Sequence, residues 1–515
     1  MGIKITALSA MLSGFVFLSY EILFLRIASF VTKSHPATFG VVLGVYLLGL
    51  GSGVALVRRF VKNSRDEIPG MIVKMLFLSS ILCYLVIPMT SFFSAHWFYA
   101  ARFGLFPLFL AACSFGGIFP LLVRVGVEDE STAGNSTGLI YGANIAGSTL
   151  GSFICGFLLL DVMSAASISL LLAIILLLLA VLTIVFFKKS IPQKMLIIPL
   201  CLIGVFSILN THFHSRLYEK LLYMPRSRMV PPFEQIIENR SGVICVERGG
   251  RVYGDGVYDG VISTSLSPKR NPEIENAYFA FLFKPDAVSI LEIGLATGSW
   301  AQVLVNGPEV RSLTSVEINP GFLKLIRRYK AVQSLLVNPR FKVIIDDGRR
   351  WLRRNQGRKF DLIVVNNTFH WRNHSTNLLS LEFLQLLKKH LQPGGVVYLN
   401  TTFSRHAVHT IAKSFKHTYL YRVYMIASDS PMLINRKRFA KILKDFTIDG
   451  RPVLNMSETK DRHMLDKLVS VPLQGTCKEI LTRTKGTKII TDDNMITEFG
   501  FLRRHIFKKR KEDYY

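Results

Sequence analysis

The chain has 515 residues, half of them hydrophobic, with 62 lysines and arginines against 35 aspartates and glutamates. This length allows two or three domains, each with a sizeable core. Residues 1–210 hold only 13 basic and 7 acidic side chains, so the remainder carries +21 of the net charge of +27. The apolar first part excludes a protein that is soluble throughout. The basic second part could meet anionic lipid headgroups, nucleic acid or an acidic substrate, and membrane lipids are the simplest partner.

Seven long apolar runs fill the first part, near residues 6–30, 38–57, 71–92, 98–123, 137–160, 164–187 and 195–210. The first six are long enough to cross a bilayer, whereas the last, with about 16 residues, is marginal. The first run is not a signal peptide, since it contains Glu21 and Arg26 and lacks a small-residue cleavage site. We therefore predict a multi-pass transmembrane domain of six or seven helices over residues 1–210, in the cell (inner) membrane.

Glycines recur at four-residue spacing in two of these runs, as the pairs Gly40/Gly44, Gly49/Gly53, Gly138/Gly142 and Gly147/Gly151. In lipid this spacing lets helices approach closely, so we interpret the glycines as packing surfaces. The sequence leaves open whether the protein forms a homo-oligomer. Glu21, Arg26 and Asn144 differ, because polar groups inside a membrane are costly and face a partner or a cavity. Glu21 and Arg26 need separate partners, in a structural tether or in a transport site.

Basic residues between the apolar runs predict the orientation of the chain. They follow the second and sixth runs and are expected on the cytoplasmic side with the N-terminus. These residues are Arg58, Arg59, Lys62, Arg65, Lys188, Lys189 and Lys194. Seven crossings would place the second half outside the cell, whereas six, with residues 195–210 on the membrane surface, would keep it inside. The positive charge of that half favours the inside, so we predict a cytoplasmic soluble part.

The second half begins with a polar linker, residues 211–232, that is broken by three prolines. Short β-like runs separated by turns predict hairpins in a small β domain over residues 233–270. Residues 271–500 form the main domain and residues 501–515 a basic tail. The six cysteines form no C-x-x-C pair and the twelve histidines have no metal-ligand spacing, so neither a disulfide framework nor a metal site is predicted.

A glycine-containing turn organises the main domain. A short buried strand, Ser289–Ile293, leads into Gly294 and Gly298, which allow a tight turn and a close backbone approach to a ligand. Nineteen residues after Gly298, a second apolar run ends in Glu317, where a nucleoside-binding fold places a carboxylate against a ribose diol. The dinucleotide fingerprint G-x-G-x-x-G is absent, and E-x-G-x-x-x-G stands in its place. This pattern predicts a pocket for an adenosyl nucleoside.

Strand and helix patterns then alternate. Further strands are predicted over Phe341–Ile345, Phe360–Val365 and residues 396–400. Helices are predicted over residues 271–283, 300–305, 319–336 and 378–391. The alternation predicts a doubly wound, mostly parallel sheet with ligands at the carboxyl ends of its strands. Polar candidates stand at these ends, namely Glu317, Asp347, Asn366 and His370.

The second half resembles the spermidine synthase family, aminopropyltransferases in which a small β domain precedes a methyltransferase-like Rossmann fold. The resemblance covers residues 233–500, through Glu234-Gln235-Ile236, Tyr258-Asp259-Gly260-Val261, Glu275, residues 291–298 and 316–320, Asp347-Gly348-Arg349, Phe360–Val365 and Thr491-Asp492-Asp493. Residues 13–26 and 138–151 resemble the transmembrane part of membrane-fused members. The implied architecture is a multi-pass α-helical membrane domain followed by an α/β fold.

The resemblance implies an adenosyl donor, S-adenosylmethionine or its decarboxylated form, without a metal. The implied donor-binding residues are Glu292, Gly294, Gly298, Glu317, Asp347 and Gly348. Glu317 would hold the ribose, Asp347 the adenine amino group, and Glu292 would support the turn. Gln235 is an implied substrate-binding residue.

The chemistry of the family is matched only in part. Aminopropyl transfer to a polyamine needs carboxylates that hold the amines and accept a proton from the attacking nitrogen. In the family they stand at three positions, which here are Thr297, Asn366 and Phe369. Asn366 can orient an amine but cannot take its proton. We therefore expect an acceptor other than an ordinary polyamine.

The loop after the fourth strand carries the cationic and aromatic sequence H-W-R-N-H. Arg372 would attract a carboxylate or a phosphate. His370 or His374 could act as a base near neutral pH. We predict Asn366 and His370 as catalytic residues and Thr297, Arg372 and His374 as acceptor-binding residues, with packing on the β domain or against lipid headgroups as the structural alternative for this loop.

Three functions stay open on these grounds. The first is a membrane-tethered transferase, aminopropyltransferase-like or methyltransferase-like, with an unknown small-molecule acceptor. The second is a genuine polyamine aminopropyltransferase in which another residue, such as His370, replaces the lost base. The third is a non-catalytic nucleoside-binding or transport-regulating membrane protein. The missing base favours the first and the third, and no nucleic-acid-binding module is present in the sequence.

Overall fold

The structure, a computed structural model, describes residues 2–60, 67–96, 104–127, 130–188, 190–266 and 273–499. Several predictions lie outside the described residues, namely those for Lys62, Arg65, Lys189, the boundary between residues 270 and 271, and the tail 501–515. The chain divides into two compact units, Met1–Cys245 and Val246–Tyr515.

The first unit is mainly helical. Its helices are α1 (Gly2–Val31), α2 (Ala37–Phe60), α3 (Ile68–His96), α4 (Leu105–Gly126), α5 (Ala133–Ile154), α6 (Leu160–Val162), α7 (Ala165–Phe186), α8 (Ile197–Phe213) and α9 (Leu217–Tyr223). In the described part of the chain, seven helical segments are long and apolar enough to cross a membrane, as the sequence predicts. The seventh, marginal in the sequence, reaches 21 residues over Gln193–Phe213 because a 3-10 turn precedes α8.

Small residues let α1 and α5 pack closely. A Cβ atom at Gly147 would overlap the carbonyl oxygen of Met11, and one at Gly151 would overlap that of Phe15. Backbones this close leave no room for a side chain, which is the packing role predicted for this glycine pair.

The other predicted glycine pairs divide into two groups. Gly49 and Gly53 on α2 lie against Ala112 and Cys113 of α4, so this pair also packs. Four glycines would place a Cβ where, their own helix apart, no described atom lies within 4 Å, namely Gly40, Gly44, Gly138 and Gly142. The predicted packing is therefore not met at these four positions within the described chain.

Four short strands follow the helices: β1 (Gln235–Asn239), β2 (Gly242–Val246), β3 (Arg251–Gly254) and β4 (Val257–Val261). β1 pairs with β2, and β3 pairs antiparallel with β4. Hairpins are thus present where the sequence predicts them.

Hydrogen bonds join β1, and the residue Arg240 that follows it, to the ends of helices in the first unit. Glu238 accepts hydrogen bonds from the backbone N–H of Ala165, at the start of α7, and from the hydroxyl of Tyr218, each at 2.8 Å. A carboxylate at a helix N-terminus is stabilising. The carbonyl oxygen of Arg240 accepts a 2.6 Å hydrogen bond from Arg26. Arg26 thereby has a structural partner of the kind that a charge in a membrane helix requires.

A seven-stranded sheet forms the centre of the second unit. Its strands are β5 (Ser289–Ile293), β6 (Ser312–Glu317), β7 (Phe341–Ile345), β8 (Phe360–Val365), β9 (Leu391–Asn400), β10 (His417–Tyr421) and β11 (Tyr424–Ser428). The order is β10-β11-β9-β8-β5-β6-β7, with β5 to β9 parallel and with β10 and β11 antiparallel at one edge. This topology confirms the predicted mostly parallel, methyltransferase-like Rossmann fold. A separate pair, β12 (Thr447–Ile448) and β13 (Arg451–Pro452), lies beyond it.

The helices of the second unit are α10 (Glu275–Phe283), α11 (Ser299–Val305), α12 (Gly321–Ile326), α13 (Gly348–Arg354), α14 (Leu381–Lys389), α15 (Arg405–Ser414), α16 (Arg436–Asp445), α17 (Thr459–Ser470) and α18 (Cys477–Arg483). The predicted helix over residues 319–336 is too long. Arg327 and Arg328 are exposed, so a continued helix would bury little there, and only a short 3-10 helix, Gln333–Val337, follows. The predicted strand over residues 396–400 is too short, because β9 already begins at Leu391 and its pairing with β8 shifts register near Phe360.

Candidate functional site

The turn after β5 requires glycine at two positions. Gly294 and Gly298 have φ angles of +91° and +74°, in the left-handed region that a side chain disfavours. A Cβ at Gly294 would lie 2.8 Å from the carbonyl oxygen of Asn366, so the turn lies directly against the end of β8. Ala296, between the two glycines, also has a positive φ of +45°.

Glu317, at the end of β6, holds this turn in place. One carboxylate oxygen accepts hydrogen bonds from the backbone N–H groups of Leu295 and Ala296, at 2.9 and 3.1 Å. The other accepts from the N–H of Asn319 at 2.8 Å. Burial raises the pKa of Glu317, while these backbone N–H groups act in the opposite direction. A ribose bound to Glu317 as predicted would therefore share a carboxylate that already orients the turn.

Glu292 lies on β5 and is fully buried. One of its oxygens accepts a hydrogen bond from the hydroxyl of Ser315, and the other has no partner among the described residues. Burial raises the pKa of Glu292 to about 8, so the carboxyl group is mostly protonated at neutral pH. Glu292 therefore acts inside the sheet, beneath the turn that it was predicted to support.

Asp347 and Gly348 begin α13. The carboxylate of Asp347 accepts a 2.7 Å hydrogen bond from the N–H of Arg350 and so caps the helix. A Cβ at Gly348 would lie 2.6 Å from the side chain of Ile293, so this glycine lets the start of α13 approach the end of β5. The contact of Asp347 with an adenine stays a prediction.

A cavity of about 360 Å³ opens beside the glycine turn in the second unit. It is bounded by the turn itself, by β4, by the start of α10 and by the segments that follow β8 and β9. Its polar lining includes Thr297, Asn366, Asp259, Glu273, Asn276 and Arg422. Two predicted site residues, Thr297 and Asn366, thus face one space, as does Phe369.

Asp259 is a cavity residue that the sequence did not single out as functional. Its carboxylate lies above Gly254 of β3, where a Cβ would overlap it. The adjacent Gly260 has a φ of +114° and would place a Cβ 3.6 Å from Thr297. Asp259 was recognised only within a segment that resembles the family. Gly254, which makes room for its carboxylate, is the signal that could have singled it out.

The charged surroundings of Asp259 change its proton affinity. Burial raises the pKa of Asp259 to about 7, Arg372 opposes this shift, and the nearby charges of Glu317 and Asp255 add to it. A group with this pKa exchanges protons near neutral pH, which is the property of an efficient general acid or base.

Glu273 and Arg422 are two further cavity residues that the sequence did not predict. Burial raises the pKa of Glu273, and Arg422 opposes that shift. Arg422 also forms an ion pair with Glu275, whose other oxygen lies 3.5 Å from Lys467. The described lining therefore includes the acids Asp259 and Glu273 and the base Arg422. The positive charge of Arg422 is already partly neutralised by Glu275.

The predicted loop residues after β8 are placed differently. Asn366 accepts a 3.2 Å hydrogen bond from the side-chain amide of Asn400, which also lines the cavity. His370 is bound to Thr402, since its backbone N–H donates to the Thr402 hydroxyl at 2.9 Å and its Nδ1 lies 3.0 Å from the Thr402 carbonyl oxygen. His370 is not among the described residues that line the cavity.

Arg372 and His374 also lie away from the cavity lining in the described residues. Arg372 is buried, donates a 2.7 Å hydrogen bond to the hydroxyl of Thr368 and lies 3.9 Å from the carboxylate of Asp255. His374 is exposed and has a positive φ of +65°. Gln235 belongs to the first compact unit, at the start of β1. The roles of these three residues in substrate binding stay predictions.

No group of three or more His, Cys, Asp or Glu side chains in the described ranges is arranged to hold a metal ion.

Comparisons with known proteins show what this chain is similar to. Residues 277–438 match the sequence model described as "Spermine/spermidine synthase domain". The polyamine aminopropyltransferase of Oceanobacillus iheyensis is 22% identical over 414 residues, which is 78% of this chain and 78% of the relative. The malonyl-[acyl-carrier protein] O-methyltransferase of a Paenibacillus species is 31% identical over 131 residues, 25% of this chain and 44% of the relative. The crystal structure of spermidine synthase from Thermotoga maritima is 17% identical, with a TM-score of 0.35 over 50% of this chain and 89% of that one.

Proposed function

This chain is spermidine-synthase-like in its residues 277–438, and on that premise we propose that it is a membrane-anchored transferase that uses an S-adenosylmethionine-type nucleoside. The donor is S-adenosylmethionine or its decarboxylated form. The anchor is the first unit, whose seven long apolar helices suit a multi-pass membrane domain.

One observation carries the proposal. The glycine turn, the carboxylate of Glu317 and the 360 Å³ cavity meet at the carboxyl ends of parallel strands. Ligands of parallel α/β sheets bind at this edge. A donor on the turn would therefore lie next to an acceptor in the cavity.

The residues of the turn fit an adenosyl nucleoside. Glu317 holds the backbone of the turn through the N–H groups of Leu295 and Ala296, so a ribose hydroxyl would share a carboxylate that already accepts hydrogen bonds from the backbone. When bound, such a nucleoside supplies a carbon made electrophilic by a neighbouring sulfonium. Thr297 and Asn366 line the space in which the acceptor would approach that carbon.

Two kinds of transfer agree with the relatives. The similar proteins include polyamine aminopropyltransferases and an O-methyltransferase. A preference for the decarboxylated donor would indicate aminopropyl transfer, and a preference for S-adenosylmethionine would indicate methyl transfer. We also propose that the transferase unit is cytoplasmic, because such nucleosides are not supplied outside the cell.

Calorimetry of the full-length protein in detergent tests the proposal, with S-adenosylmethionine, its decarboxylated form and methylthioadenosine as ligands. We expect at least one to bind. Glu317→Gln should weaken binding at least about tenfold, because its amide would turn an N–H donor towards a backbone N–H and distort the turn.

Glu309→Gln is the matched control, since Glu309 is exposed in the loop after α11. It should leave the affinity unchanged, and a melting curve should show that both variants are folded. If the wild-type protein binds none of the three nucleosides, the proposed function is refuted.

A further inference from the structure

The cavity contains acids at positions other than the three at which the family resemblance implies acceptor-binding carboxylates. Thr297, Asn366 and Phe369 line it and carry no carboxylate. Asp259 and Glu273 line the same space, the first on β4 and the second just before α10. The negative charge that appeared lost from the sequence is therefore present in the cavity, supplied by different elements.

Asp259 has the placement of a group that acts on a ligand. Among the described residues none donates a hydrogen bond to its carboxylate, and the missing side chain at Gly254 makes room for that carboxylate. Gly260 also lies close to Thr297, so the acid stands beside the glycine turn. A carboxylate held at a cavity wall without a donor is available to a donor from the ligand.

We propose that Asp259 is the proton acceptor for an amine substrate in this cavity and that Glu273 holds a second positively charged part of that substrate. This assignment rests on the proposed function, because it takes the glycine turn as the donor site. It differs from the expectations drawn from the sequence, in which His370 or His374 could act as the base and the favoured acceptor was not an ordinary polyamine.

The proposed step transfers a group from the sulfur of the donor to the nitrogen of the acceptor. The ammonium group of the acceptor gives one N–H proton to a carboxylate oxygen of Asp259. The freed nitrogen lone pair forms a bond to the carbon next to the sulfonium sulfur of the donor. The carbon–sulfur bond breaks, its electron pair stays on sulfur, and a neutral thioether leaves. The proton on Asp259 then passes to water.

The electrostatics of the cavity agree with this role. Burial raises the pKa of Asp259 to about 7, which makes it a stronger base than an ordinary aspartate while leaving it ionised above neutral pH. Arg422, the guanidinium on the lining, is already paired with Glu275, so the two cavity acids favour a cationic ligand.

The test uses full-length protein in detergent, the donor identified by calorimetry, and 1,4-diaminobutane or 1-aminobutane as acceptor probes. Asp259→Asn should lower kcat/KM for amine transfer by about 10²–10⁴-fold, the range for loss of a general base, with donor affinity unchanged. The wild-type rate should rise with pH through about 7, and this limb should be absent in the variant. Glu273→Gln should raise KM for the diamine more than for the monoamine.

Two further variants keep the test decisive. Asp286→Asn changes an exposed acid outside the cavity lining and should leave both rate and pH profile unchanged. Asp259→Glu keeps a carboxylate and should retain part of the activity, which separates loss of the base from loss of the fold if Asp259→Asn melts early.

The outcomes distinguish the two proposals. If no nucleoside binds the wild-type protein, the proposed function fails, and this inference falls with it. If a nucleoside binds but neither amine is converted, the amine assignment is wrong while nucleoside binding stands. If amines are converted and Asp259→Asn keeps the wild-type rate and pH limb, Asp259 is not the proton acceptor.

Discussion

Glu292 and Asp259 are carboxyl groups whose behaviour depends on burial. Glu292 lies inside the sheet with one oxygen unpartnered among the described residues, and its pKa is raised to about 8. Between its ordinary pKa of about 4.3 and this value, the folded protein binds the proton that the unfolded chain releases. The stability that Glu292 contributes is therefore complete at low pH, is lost as the pH rises towards 8, and changes no further above it.

Replacing Glu292 by glutamine should remove this loss, because the amide stays neutral and can still accept from Ser315. A shift of one pKa unit is about 1.4 kcal/mol, so the wild-type melting temperature should fall between pH 5 and pH 8 by at least about 3 °C more than that of Glu292→Gln. Thermal melting of both full-length proteins in detergent measures the difference. Parallel changes in the two proteins would show that Glu292 is ionised in the folded state.

At this scale the sequence predicts a residue well when its neighbours along the chain decide its role. Gly294 and Gly298 follow from the strand-to-helix turn, and their positive φ angles are found. Asp259 could not be predicted in the same way, because its neighbour Gly260 comes close to Thr297 only after the β3–β4 hairpin has folded against the turn. Spacing along the chain does not encode that approach. Arg372, conversely, looked available in sequence but is buried beside Asp255.

Elements are predicted best where an apolar run is short and bounded by turns. The strands β5, β7 and β8 have the bounds expected from the sequence. The helix predicted over residues 319–336 did not hold, because a polar, basic stretch has helix-forming residues but little apolar surface to bury. The start of β9 was missed because Pro393, Gly394 and Gly395 indicate a turn, whereas in the structure they lie within β9, at a register shift between the pairs Phe360–Leu391 and Leu362–Val396.

The contact between α1 and α5 gives a prediction for membrane helix packing. Gly147→Val should destabilise the full-length protein in detergent by about 1–3 kcal/mol, because the new side chain would overlap the backbone of Met11. Gly142→Val is the matched control on the same helix, since a Cβ there meets no described atom within 4 Å outside its own helix. Melting temperatures compare the two, and equal destabilisation would argue against close α1–α5 packing as the cause.

For the whole molecule, the sequence predicts six or seven crossings and leaves the side of the transferase unit dependent on that number. The structure contains seven sufficiently long apolar helices in its described residues. Charge and function then make different demands, because an odd number of crossings separates the basic loop residues Arg58 and Arg59 from the C-terminal unit. The sequence gives the number of basic residues in each loop. It does not show whether the orientation that they favour outweighs the need of the proposed transferase for a donor from the cytoplasm.

Reporter fusions at the two ends test the topology. We expect a C-terminal reporter to be cytoplasmic, because the proposed donor is supplied there. The N-terminal reporter then gives the parity of the crossings, being outside for seven and inside for six. A C-terminal reporter on the outer side would contradict the proposed transferase, and fusions to both ends of a known single-span protein provide the calibration.

The hydrogen bond from Arg26 to the carbonyl oxygen of Arg240 joins residues 214 positions apart. During synthesis the chain emerges N-terminus first, so α1 is complete long before residue 240 exists. The start of α7 likewise gains Glu238 as its acceptor only at that late stage. The hydrogen bonds at this end of the helical bundle are therefore completed only when β1 and Arg240 have been synthesised. A chain that ends before residue 238 would lack these hydrogen bonds in its membrane domain.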